Sequence, residues 1–179
     1  MIRRISLRAI LFAFAVLASV ADHAELFGRR SDDFATYHHR TTEIVAVADE
    51  TTIEIDLADA ESPTTLIALE GLLSPTERDV AVDMLDPSDM AIAFLETHAI
   101  GRRVRLLVDE QRATRDADGR LAAYVWFDDD RREMLNEQMV REGWATASET
   151  PHLFRLRFEQ HDRRARRNEL GVWAGGANE

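Results

Sequence analysis

Between Arg115 and Trp126 the chain reads Arg-Asp-Ala-Asp-Gly-Arg-Leu-Ala-Ala-Tyr-Val-Trp, and no other stretch limits the possible folds as tightly. Asp118-Gly119 is a dipeptide that accepts positive φ at both central positions of a hairpin turn. Its flanks, Arg103 to Val108 and Leu121 to Phe127, are rich in β-forming residues, so the pattern predicts a β-hairpin. Arg120 then stands as an exposed cation at the mouth of a buried strand.

The remaining elements can be placed around that hairpin. From Thr42 to Asp59, apolar residues alternate as Ile44, Ala46, Ala48 and then Ile53, Ile55, Leu57, which predicts two short strands separated by Asp49-Glu50-Thr51. Thr64 to Leu69 supplies a third strand. Ser74-Pro75 breaks the pattern, and the acidic segment that follows reads as a loop with a helical turn at Glu77 to Leu85. Ser88 is the expected N-cap of a helix whose apolar stripe is Met90, Ala91, Phe94 and Leu95 and whose stop is Gly101. Two further helices are expected, Glu133 to Glu142 ending at Gly143 and Leu153 to Asn168 ending near Gly171.

Arg115-Asp116-x-x-Gly119-Arg120-x-x-Ala123-Tyr124-Val125, Leu135-Asn136, Val140-Arg141-Glu142-Gly143-Trp144-Ala145 and Leu170-Gly171-Val172-Trp173 together resemble the staphylococcal nuclease (thermonuclease) family. The likeness runs from about Thr41 to Trp173; it is strong after Ile100 and weak before it. It implies a mainly β fold with α, a five-stranded OB-fold barrel with about three helices, in keeping with the order of elements. The expected organisation is a signal peptide at 1–21, a polar linker at 22–40 and the nuclease-like domain at 41–175.

The leader expectation rests on Met1-Ile2-Arg3-Arg4 followed by an apolar run from Ala9 to Ala21, interrupted only by Ser19. As a helix that run spans roughly 20 Å, short of the ~30 Å hydrocarbon layer, so export with cleavage is expected over a permanent span. The absence of cysteine removes disulfides and thiolate sites. His38-His39 reads as an incidental pair, because a metal site needs further convergent ligands.

Charge bears on function. The formal net charge is −11, and residues 31–100 carry 16 carboxylates against Arg40 and Arg78, while residues 101–179 balance 15 against 15. A chain that collects a polyanion is expected to show a basic footprint, and composition gives little sign of one. The arginines of the last helix are interleaved with Glu159 and Asp162 at i,i+4, the pattern of a solvated helix. Asp128 to Asp130 reads as an exposed turn, and Trp126, Trp144 and Trp173 as packing anchors.

In the resembled nucleases the phosphate is held by two arginines, a glutamate is the general base, and calcium is held by two aspartates and a backbone carbonyl. Carried over residue by residue, the second arginine is Arg120. The first calcium aspartate falls on Thr51, the second on Glu70, the first arginine on Thr65 and the base on Leu73. An insertion after Glu70 makes Glu77 a shifted base, with Arg78 beside it. The expectation is an exported nuclease-like domain with an impaired site, serving as a binding module for an unidentified protein or nucleic-acid partner and needing no cofactor. The alternative is an altered metal-dependent phosphodiesterase acting on DNA or RNA, with Arg120 and Glu77 catalytic and Glu70 on a calcium ion.

Overall fold

The computed structural model describes residues 33–75 and 86–174. The expected leader, Glu77 and Arg78 lie outside them. Strands β1 (Thr41–Asp49), β2 (Thr52–Ile55), β3 (Thr65–Leu69), β5 (Arg103–Leu107) and β6 (Leu121–Phe127) close a barrel in the order β1-β2-β3-β6-β5. A two-residue strand β4 (Leu72–Leu73) pairs with β7 (Thr146–Ala147) outside it. Helices α1 (Pro87–His98), α2 (Leu135–Arg141) and α3 (Arg155–Arg167) pack around the barrel, and residues 33–37 form a further helical turn. The expected five-stranded barrel and its three principal helices are therefore present.

Alternation sets the inward faces. Ile44, Ile53, Ile55, Ile67, Val104, Leu106, Leu121 and Val125 are fully buried and share one core with Leu95, Leu135 and Phe158. Barrel closure combines antiparallel neighbours with one parallel pair, β3 beside β6, in which Ile67, Ala68 and Leu69 lie opposite Leu121, Ala122 and Ala123. A parallel neighbour requires a long crossover, and α1 with β5 supplies it.

Three sequence expectations need correction. Asp118-Gly119 does not join β5 to β6 directly; it sits at the tip of a small turn inside the connection 108–120. Only Gly119 there has positive φ, at 80°, and Asp116 ties the turn by accepting the N–H groups of Asp118 and Arg120. The N-cap of α1 is Asp86, which accepts from the Ser88 N–H at 2.9 Å, because Pro87 occupies the first turn and has no N–H to offer. Of the stretch expected as a linker, residues 33–40 are tied to the domain on one side, with Ala35, Thr36, His39 and Arg40 exposed. Tyr37 is buried, and the Val108 N–H donates to His38 Nδ1 at 3.2 Å. A single helical turn is too short to leave a periodic trace in sequence.

One side chain closes the weakest point of the barrel. Where β3 leaves β6 after Leu69, fully buried Asn136 at the start of α2 accepts the Val125 N–H at 2.9 Å and donates to the Glu70 carbonyl at 3.0 Å and the Ala123 carbonyl at 3.1 Å. The C-terminal end depends on glycine backbones. A Cβ on Gly143 would stand 2.3 Å from the Leu170 carbonyl oxygen, and its φ of 79° disfavours any side chain. That approach lets Val172 donate to the Gly143 carbonyl at 3.0 Å and seats Val172 and Trp173 against the helices.

Asn136→Leu keeps the volume but orphans the Val125 N–H and the Glu70 carbonyl; the Ala123 carbonyl retains the Glu70 N–H at 3.0 Å. With each orphan costing about 1–3 kcal/mol, urea unfolding should show a loss of roughly 2–5 kcal/mol. A loss below about 1 kcal/mol would mean that water replaces the amide.

Candidate functional site

Arg120 is the last residue before β6, and the turn that presents it also encloses it. Its Nε donates to Asp116 at 2.7 Å, and Nη1 donates to Asp49 at 3.0 Å and to the Thr52 hydroxyl at 2.9 Å. Nη2 lies 3.2 Å from Asp118. All three guanidinium nitrogens thus face protein acceptors, and 28% of the side chain remains exposed. The hydrogen bond that Arg120 donates to Asp116, with Asp49 and Asp118 nearby, raises the affinity of this guanidinium for its proton.

Asp49 reaches Arg120 because the β1–β2 junction is not a regular pleat. Register shifts at Val47/Asp49, and Asp49 Oδ1 caps the turn by accepting the Thr51 N–H at 2.8 Å and the Thr51 hydroxyl at 3.3 Å. Strict alternation, which would aim Asp49 elsewhere, does not apply across such a turn. Glu50 points to the other side of the junction and accepts from the Ser74 hydroxyl. Thr65, at the first arginine's position, is buried and donates to the Leu57 carbonyl at 2.6 Å.

Glu70 belongs to a different cluster. In the β3–β6 register it follows Leu69, which pairs with Ala123, whereas Arg120 precedes Leu121. The two are therefore offset by about four residues along the strands, on the order of 13 Å. The Glu70 carboxyl lies 3.3 Å from Arg112 Nε. Burial pushes its pKa up, against the pull of Arg112 and with the help of Asp109. Beside it the Tyr124 hydroxyl meets His152 Nδ1 at 3.0 Å. Burial raises the Tyr124 pKa, and burial with Arg112 and Arg155 lowers that of His152. The His152 ring lies so close to Gly71 that a Cβ there would meet it at 2.5 Å.

Leu73, at the base position, is 51% exposed and lines a cleft of about 730 Å³ against Arg155, Glu159 and Asp162 of α3. The residues expected to share a site are thus divided: Arg120 with Asp49 and Thr52, Glu70 with Arg112, and Leu73 on the α3 cleft. Among the described residues no three histidine, aspartate or glutamate side chains converge on a position able to hold a metal ion.

Sequence reasoning missed the strongest ion cluster, in which Arg115 donates to Asp33 through Nε and Nη2, both at 2.8 Å, and to Asp59 through Nη1 at 2.6 Å and Nη2 at 3.0 Å. No spacing signal links residues 82 and 56 positions apart. The helix-face pairs were legible: Arg163 lies 3.9 Å from Glu159 and Arg166 lies 3.1 Å from Asp162.

Glu70 gives a pH test. Its folded pKa lies above the ordinary 4.5, so its contribution to stability is fully present below that value and is lost as pH rises through the raised pKa. Glutamine does not titrate, so the stability of Glu70→Gln relative to the parent should rise between about pH 4 and pH 7 in paired urea titrations. A difference that is flat or falling over that range would show that the Arg112 contact outweighs burial.

Comparison with known proteins matches the part of the chain from β3 onward. The family model described as staphylococcal nuclease homologue matches residues 67–175. Over 82 residues the chain is 37% identical to a thermonuclease of Staphylococcus intermedius, a match covering 45% of this chain and 46% of that protein. The chain thus spans about half the length of that relative. The family match begins after the Asp49–Thr52 turn and includes Arg120, Asn136 and Gly143.

Proposed function

This chain belongs to the staphylococcal nuclease homologue family, and from that premise we propose that it is an exported binding or interaction domain whose phosphodiester-cleaving apparatus is impaired. The observation that carries this reading is the enclosure of Arg120 by Asp49, Asp116 and Asp118. A phosphate clamp must offer a guanidinium fork to incoming oxygens. Here the fork is occupied, and three carboxylates around one cation leave the position net negative toward a phosphate.

The other positions support the same reading. Thr51 and Thr65 are neutral and engaged with Asp49 and Leu57. The resemblance implies a calcium ion between two carboxylates, but the donors at those positions are a threonine hydroxyl and a half-buried carboxyl beside Arg112; this set does not fit. In other enzymes a missing charge stabiliser costs roughly 10²–10³ in rate and a missing general base about 10²–10⁴. Export is supported by the basic and apolar pattern of residues 1–21, and among the described residues no helix is long and apolar enough to cross a membrane. The partner is an unidentified protein or nucleic acid.

The test is hydrolysis of single-stranded DNA and RNA by the purified protein, with calcium and with chelator, beside Arg120→Ala. No metal-dependent cleavage above that variant's background is expected. Calcium-dependent cleavage that Arg120→Ala abolishes would overturn the proposal and return Arg120, Glu77 and Glu70 to the roles of a metal-dependent phosphodiesterase.

A further inference from the structure

At the end of β6 opposite Arg120 cations are as numerous as carboxylates, unlike the three-to-one excess of carboxylates around Arg120. Arg102, Arg103, Arg105, Arg131 and Arg132 lie on or beside this end with Asp128, Asp129, Asp130 and Glu133, and Glu43 stands opposite Arg103 across the strands. Arg102 is engaged by Asp129 and lies 3.4 Å over the Phe127 ring. Asp128 is shared between Arg105 at 3.1 Å and Arg103 at 3.9 Å. Among the described residues the guanidinium of Arg132 has no ion-pair or hydrogen-bond partner.

A cavity of about 290 Å³ opens at this point, lined by Arg105, Trp126, Phe127, Asp128 and Arg132. Its wall is aromatic, and its rim holds the guanidiniums of Arg105 and Arg132 together with the Asp128 carboxylate that Arg105 engages. Trp126 is half-buried, braced edge-on by Phe154 at 6.3 Å and paired across the strands with Arg105. Arg132 has a φ of 50°, a conformation that a side chain disfavours. Asp129 holds it there by accepting the N–H groups of Arg131 at 3.0 Å and Arg132 at 3.1 Å. The turn thus sets the Arg132 backbone at the rim of an aromatic recess, with its guanidinium unpaired among the described residues.

The chemistry that matches these groups is an anion attached to a planar ring. Guanidinium forks suit phosphate oxygens, and an indole face accepts a stacked base. The volume lies at the lower end for small-ligand sites, which suits one nucleotide and not a length of strand. We propose that this pocket binds the phosphate-bearing terminal nucleotide of a single-stranded nucleic acid, with the base against Trp126 and the phosphate between Arg105 and Arg132. The assignment goes beyond the reading of the domain as a binding module by naming its partner. It lies about 20 Å from Arg120 along β6, so either assignment can fail alone.

In chelator, the purified protein is titrated by calorimetry and tryptophan fluorescence with a short single-stranded oligonucleotide bearing a terminal phosphate, the same strand without it, and the mononucleotide. The phosphorylated strand should bind at least about tenfold tighter than the unphosphorylated one. Arg132→Gly should erase that preference without loss of thermal stability, since glycine suits the backbone there. Trp126→Leu should weaken both strands. Absence of binding, equal affinity for the two strands, or an unchanged preference in Arg132→Gly overturns the proposal. So does a mononucleotide that binds as tightly as the strand, which would assign the pocket to free nucleotides. Loss of binding in Arg120→Ala would move the anion to that end of β6.

Discussion

The closed barrel depends on a carboxamide from outside it. A five-stranded barrel with one parallel pair has a seam, because β3 covers only the first three residues of β6 before turning away. Beyond Leu69 the Val125 N–H and the Glu70 carbonyl have no strand to meet, and a buried polar group left unmet costs more than an ordinary hydrogen bond returns. Asn136 meets both, and its neighbour extends the effect: Glu137 receives Arg157 Nε at 2.6 Å and His161 Nε2 at 2.8 Å. Two consecutive residues at the start of α2 therefore close the barrel on one side and dock α3 on the other.

The uneven distribution of charge in the sequence has a structural counterpart. Carboxylates concentrated before residue 100 meet arginines that lie after it: Asp33 and Asp59 hold Arg115, Asp49 holds Arg120, and Glu70 holds Arg112. Each pair joins segments tens of residues apart. Half-buried pairs of this kind contribute little net stability for each contact, but leaving one charge without its partner is costly, so they act chiefly to fix which segments lie together. The same arrangement places Asp49 on Arg120. Holding the β1–β2 turn against the 116–120 turn and enclosing the guanidinium are one interaction seen from two sides.

The sequence was most informative where burial dominates. Alternation at Ile44, Ile53 and Ile55 located strands, and the i,i+4 pattern of the last helix foretold its ion pairs. It was least informative where a short polar side chain overrides period. Asp86, Asp116 and Asp49 each accept backbone N–H groups and redirect the chain, moving a cap by two residues, converting an expected two-residue hairpin tip into a local turn, and aiming a carboxylate that alternation would misplace. Nor does any local pattern reveal that Glu70 and Arg120, both expected at one site, enter adjacent strands about four residues apart; only the parallel register shows it.

The two ends of β6 then differ for a reason that net composition obscures. At Arg120 three aspartates converge on one guanidinium, while near Phe127 Asp128 and Asp129 are shared among Arg102, Arg103 and Arg105, and Asp129 is also drawn into holding the turn itself. Electrostatic potential falls off over roughly 8–10 Å at ordinary ionic strength, so a ligand near either end responds to the local set and not to the total of −11. A chain acidic overall therefore presents a carboxylate-ringed cation at one end of β6 and, among the described residues, the unpaired guanidinium of Arg132 at the other.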